Sequence, residues 1–192
     1  MRTSAAQRVA SSASSSAPLS LSEARLQCAT EVALRLLQAL RAAHALGIMH
    51  CDVRPSSIVH GPGGAVLLNW GESCQPGSES SWRGSANFAL STVFSDMSLA
   101  ASPAQDAYAL LCTWLALAFM DSCRAPWEER DLLALQDKRE RWLSRGKHCK
   151  HPAVRRAQAA MSRVWEASPA EDVLGMVLSA LQPEQPEGQG ML

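Results

Sequence analysis

The stretch GIMHCDVRPSSIVHGPGGAVLLNWGES, residues 47–73, gathers the side chains best suited to chemistry. An imidazole, a carboxylate and a guanidinium alternate at His50, Asp52 and Arg54, and two neutral oxygen donors follow at Ser57 and Asn69. In order, the stretch reads as a catalytic loop, a hairpin and a metal-binding turn. A second cluster, KHCKHP at residues 147–152, brings together His148, Cys149 and His151, but without convincing metal-ligand spacing, and reads as a solvated loop. Residues 138–163 are rich in Lys and Arg, with Glu140 the only acid. They read by default as a basic solvated face, one that could instead dock an acidic partner or nucleic acid.

The elements that must position these groups are mostly helical. Residues 21–46 place Leu26, Val32, Leu36, Leu37, Leu40 and Ala43 on one broad apolar face. Ser22 and Glu23 suit the N-terminus of that helix, and Gly47 its C-cap. Two short strands, SSIVH and AVLLN, flank the turn-forming GPGG. Residues 106–120 are nearly all apolar and too short for a bilayer, which takes about 20 residues, so they predict a helix buried on all sides by protein. Helical patterns resume in EERDLLALQDKRERWL, PAVRRAQAAMSRVWEA and SPAEDVLGMVLSAL, the last with Ser168 as N-cap and Pro169 at its first position.

Composition bounds the function. A chain of 192 residues suits one domain with a real core, and a formal net charge of zero gives no bulk drive toward nucleic acid or membrane. Six scattered cysteines without a CxxC pair read as reduced thiols of an intracellular, cytoplasmic protein. Residues 1–20 are rich in Ser and Ala, hold Arg2 and Arg8, and have no acid before Glu23. They read as a disordered tail, with an organelle-targeting segment as the alternative. Residues 183–192 read as a second disordered tail.

The order of elements resembles the C-terminal lobe of a protein kinase, and the motifs carry the resemblance further. LQALRAAHALGIMHCDVRPSSIV is similar to the kinase helix that runs into the catalytic loop H-R-D-L-K-P-x-N-I-L. Asn69, Trp70 and Gly71 stand where kinases carry D-F-G. GSANFALST, residues 84–92, resembles G-T-x-x-Y-x-A-P-E, and DAYALL from Asp106 resembles D-x-[WY]-S-x-G. The likeness runs over residues 21–120 in family-like order. It implies a mainly α, kinase-like C-terminal lobe over residues 21–182 with one small β-hairpin.

The resemblance also implies site roles. Asp52 holds the place of the catalytic base and Arg54 that of the lysine facing the transferred phosphate. Ser57 and Asn69 hold the two Mg²⁺-ligand positions, where a hydroxyl and a neutral amide replace an amide and a carboxylate. Cys51 replaces the arginine that answers an activation-loop phosphate. His50, Gly71 and Asp106 are expected to be framework residues, and Trp70 fills the place of Phe. Thr92 stands for the Glu of A-P-E, and Gln185 for its distant Arg partner. The N-terminal lobe, with its Gly-rich loop and lysine, is missing from this sequence, so Mg-ATP is expected only if such a lobe exists. The implied function is a catalytically impaired, pseudokinase-like module that binds or scaffolds protein partners. The alternative is a truncated form of a divergent Ser/Thr-type kinase with Asp52 as base.

Overall fold

The computed structural model describes residues 20–78, 84–89, 101–119, 131, 134–135, 137–139, 141, 150–168 and 170–182. Its elements are α1 (Leu21–Ala45), β1 (Ile58–Gly61), β2 (Gly64–Leu67), α2 (Pro103–Phe119), α3 (Pro152–Glu166) and α4 (Val173–Leu181). Short 3-10 turns cover Pro55–Ser57, Trp70–Glu72 and Ala86–Phe88. The described part is mainly α with one two-stranded antiparallel sheet, as the sequence pattern predicts. None of its helices is long and apolar enough to cross a membrane.

α1 starts two residues before the place expected from Ser22. Ser20 is the N-cap: its Oγ accepts the Glu23 N–H at 3.3 Å, and the Glu23 carboxylate accepts the Ser20 N–H at 2.9 Å. This capping box satisfies donors that the first helical turn leaves open. Ser20 therefore belongs to the helix start and not to a disordered tail; residues 1–19 and 183–192 lie outside the described residues. The bonds from the Ser20 side chain and backbone hold the Glu23 carboxyl below its usual range. A depressed carboxyl stabilises the fold above its unfolded pKa, and that contribution fades as pH falls through the folded one.

α1 ends in a Schellman motif. The Gly47 N–H donates to the His44 carbonyl and the Ile48 N–H to that of Ala43, each at 2.9 Å. Gly47 has φ +71°, a left-handed conformation that a Cβ opposes. Gly47→Ala is expected to lower stability by about 1 kcal/mol with an unchanged urea m-value, since the space around the site is open and only the backbone conformation is penalised.

The core centres on α2. Thirteen of its side chains are buried, from Gln105 to Ala118, and Leu110, Leu111, Cys112, Trp114 and Leu115 are fully so. The pattern is apolar all round because α1, α3 and α4 all pack on it. The one polar atom of the Trp114 ring, Nε1–H, donates to Thr30 Oγ1 of α1 at 3.1 Å. That bond removes the cost of an unpaired buried donor. α3 opens on Pro152 with His151 as N-cap, its Nδ1 accepting the Ala153 N–H at 3.2 Å. His151 also meets the Phe119 ring edge-on at 5.2 Å, so it is a structural member of the KHCKHP cluster. The expected start of α4 at Pro169 shifts to Val173, where Asp172 caps by accepting the Gly175 N–H at 2.8 Å. Ser168 and Glu171 close a separate turn before it.

The strands are shorter than SSIVH and AVLLN suggest. Ser56 and Ser57 lie in a 3-10 turn, and Leu68 and Asn69 lie beyond β2. Register pairs Ile58 with Leu67 and Gly61 with Gly64 around the two-residue turn Pro62-Gly63. Gly64 is favoured there by its backbone, with φ +100°; the Arg35 side chain of α1 also lies close, 2.6 Å from where a Cβ would stand, but that flexible arm can swing aside. The hairpin sits on α1, with Leu67 turned inward and Val59 and Val66 about half exposed.

Candidate functional site

The site is built from two loops that flank the hairpin. The first, residues 49–54, is irregular, so its backbone donors need partners from elsewhere. Asp106 in the first turn of α2 supplies them. It is 1 % exposed; its Oδ2 accepts the His50 N–H at 2.7 Å, and its Oδ1 the Cys51 N–H at 2.8 Å. His44 of α1 completes the carboxylate's shell, its Nε2 lying 2.9 Å from Oδ2. Thr113 Oγ1, also on α2, donates to the Val53 carbonyl at 3.2 Å. Asp106 and Thr113 thus tie the loop backbone to α2.

His50 is fully buried and both ring nitrogens are engaged. Nε2 lies 2.9 Å from the Leu68 carbonyl oxygen, and Nδ1 accepts the Asp52 N–H at 3.2 Å. A carbonyl only accepts, so Nε2 carries the proton and the ring is held in one tautomer. No nitrogen is left over for base chemistry. The ring meets Trp70 edge-on at 4.6 Å, and the Trp70 Nε1–H donates to the Leu67 carbonyl at 3.0 Å. His50 and Trp70 therefore clip the second loop onto the first.

Asp52 is 7 % exposed, with both carboxylate oxygens occupied. Oδ1 accepts the Ser85 N–H at 2.7 Å. Oδ2 lies 2.9 Å from Arg54 Nε, an ion-pair contact in which the N–H is not aimed along a hydrogen bond. Ser57 is fully buried; its Oγ donates to the Asp52 carbonyl at 3.1 Å, so the hydroxyl braces the loop from inside. Asn69 adopts a left-handed conformation at φ +62°, which Asn tolerates better than most residues. Cys51, at φ +67°, is the other left-handed residue that is not glycine among those described. Both strained positions flank the site, where such backbone is commonly stored. Gly71 lies in the turn after Asn69 with open space where a Cβ would go and no positive φ, so the turn does not demand glycine there.

Two contributors escaped the sequence reading. Ser85 acts through its backbone, which no side-chain pattern reveals. Arg139 is the second. It sits in the basic run expected to be a solvated face, yet it is 3 % exposed. Its guanidinium donates to the carbonyls of Ala89 at 2.8 Å, Asn87 at 2.5 Å and Ala86 at 3.4 Å, and lies 5.7 Å from the Tyr108 ring centre. It therefore pins the segment that carries Ser85 onto Asp52. Thr92, Gln185 and residues 147–149 lie outside the described residues.

The donor set does not fit a Mg²⁺-nucleotide centre. Asp52 is engaged on both oxygens, the Ser57 hydroxyl points into the loop, and Asn69 offers a neutral amide where a hard dication favours carboxylates. Among the described residues, no three His, Cys, Asp or Glu side chains come together as a metal-binding group.

No protein-family model and no curated protein sequence matches the chain. Solved protein kinases match its fold. Vaccinia related kinase 3 superposes with a TM-score of 0.61 at 17 % identity, over 81 % of this chain and 53 % of that one. The kinase PK-1 of the Cydia pomonella granulovirus gives 0.63 at 14 % identity, over 81 % and 58 %. The fold is kinase-like, and the chain spans a little over half the length of these two kinases.

Proposed function

We propose that this kinase-like fold is a catalytically impaired, pseudokinase-like module that works by binding protein partners. The observation that carries the reading is the state of the site residues. Asn69 offers a neutral amide where a carboxylate is needed, the Ser57 hydroxyl is spent on the Asp52 carbonyl, and Asp52 already holds Ser85 and Arg54. Phosphoryl transfer depends on positioning and on neutralising charge, chiefly through metal ions, and this set supplies neither well. Arg54 also lacks the compact ammonium of a lysine.

The binding role draws support from the surface. Val59, Val66 and Leu68 are 50 %, 53 % and 42 % exposed on and beside the hairpin, and apolar surface beside a polar site is typical of contact faces. Exposed Lys150, Arg155 and Arg163 keep the basic stretch suited to an acidic partner.

The test is phosphotransfer from Mg²⁺-ATP to a general protein substrate, with Asp52→Asn as the control. The expected result is no turnover above that control. Turnover that Asp52→Asn abolishes would overturn the reading. It would favour a divergent Ser/Thr-type kinase with Asp52 as base, to which the Asp52–Arg54 pair lends some support.

A further inference from the structure

We propose that Cys51 and Cys74 form a reversible disulfide that staples the Asp52 loop to the loop following Asn69. Their sulfurs are 3.4 Å apart, with both residues half-buried. The two chain segments are already bridged by backbone bonds. The Met49 N–H donates to the Cys74 carbonyl at 2.8 Å, and the Cys74 N–H to the Met49 carbonyl at 3.1 Å. The Cys51 backbone is anchored separately, through its N–H to Asp106. A disulfide has an S–S length of about 2.0 Å, so the sulfurs need approach by only about 1.4 Å, within the reach of small side-chain rotations.

The oxidant is a small-molecule disulfide such as oxidised glutathione. Burial, the Asp106 carboxylate and the Cys74 thiol all push the Cys51 thiol well above its usual range, so Cys51 is a poor first nucleophile. Cys74 therefore loses its proton to solvent and attacks, and one glutathione thiolate leaves. Cys51 then attacks the Cys74 sulfur of the mixed disulfide, its proton passing to solvent and the second glutathione leaving as thiolate. Two protein thiols are oxidised and one small disulfide is reduced to two thiols, so electrons and protons balance. The remaining described cysteines are poorly placed to compete. Cys112 is fully buried, with burial pushing its thiol up to about 12, and Cys28 is exposed on α1, away from the Cys51–Cys74 pair.

The test equilibrates the full chain with glutathione buffers of rising oxidised-to-reduced ratio, blocks free thiols and measures intact mass. Cleavage before Asp52 separates the two cysteines, so a crosslink holds the two peptides together until reduction. The expected result is a mass short of the fully blocked chain by two blocking groups and about 2 Da, and a Cys51–Cys74 crosslink formed without denaturant. Cys51→Ser should abolish it and leave a glutathione adduct on Cys74, and Cys74→Ser should abolish it with no adduct on Cys51. The oxidised form should melt several degrees higher, roughly as expected for a closed loop of this size. No crosslink at any ratio, a crosslink seen only in denaturant, or a crosslink that survives Cys51→Ser would overturn the proposal.

Discussion

Asp106→Ala should lower the unfolding free energy by about 3–5 kcal/mol, among the largest losses a single substitution can cause here. The carboxylate is 1 % exposed and serves three donors: two loop amides and the His44 ring. Alanine takes the acceptor from all three at a largely buried place, and each donor left unpaired there costs about 1–3 kcal/mol. The sum is limited by relaxation of the loop. For a chain of this length, a melting point lowered by about 10 °C is the corresponding thermal signature. Asp106→Asn is the informative control. Its amide keeps one acceptor oxygen but turns an NH2 toward at least one donor, so it should recover only part of the loss. Urea denaturation of the three proteins checks the order, and a loss under about 1 kcal/mol for the alanine variant would contradict the role assigned to this carboxylate.

Arg139→Ala should cost about 2–4 kcal/mol, for related reasons on the other side of the site. Three carbonyls, of Ala86, Asn87 and Ala89, lose a buried charged donor, and the emptied volume beside Tyr108 adds a cavity cost. Lysine is no rescue. A single ammonium cannot reproduce a planar fork spread over three acceptors, so Arg139→Lys should regain less than half of the loss. The effect should also be local. Residues 84–89 are held by Arg139 at one end and by the Ser85–Asp52 bond at the other. Limited chymotrypsin digestion should therefore cut at Phe88 faster in the variant than the change in global stability alone predicts. Equal rates after that correction would assign Arg139 a general packing role instead.

The legible parts of the sequence were those governed by period and by special backbone. The apolar stripe of α1, the all-apolar α2, the GPGG turn and the Gly47 C-cap each follow from local rules, and the structure has them near their expected places. Helix starts were less legible, because Ser20 and Ser22 are equally good caps by type. Which one serves is decided by where Glu23 can fold back. The Asp172 start of α4 was hidden behind an equally good Ser-Pro signal for the same reason. At the site, His50, Asp52, Ser57 and Asp106 do come together, and resemblance located them. The occupants of Asp52 were not legible. Ser85 reaches it through a backbone amide 33 residues away, and the Arg139 side chain looks like its solvated neighbours until the fold buries it. Side-chain chemistry is written in the sequence, whereas backbone partnership and burial appear only after folding.

The anchoring of an irregular loop by Asp106 has a consequence for deuterium uptake. Loop amides outside helices and strands commonly open through small local fluctuations and exchange early. The amides of His50 and Cys51 cannot do so without leaving a carboxylate rooted in the most buried helix and shared with α1. Their protection should match that of the α2 amides around Leu110 and Leu111. The loop then opens with the core as one cooperative unit, although the strand pair at Val59 and Val66 beside it is free to fray.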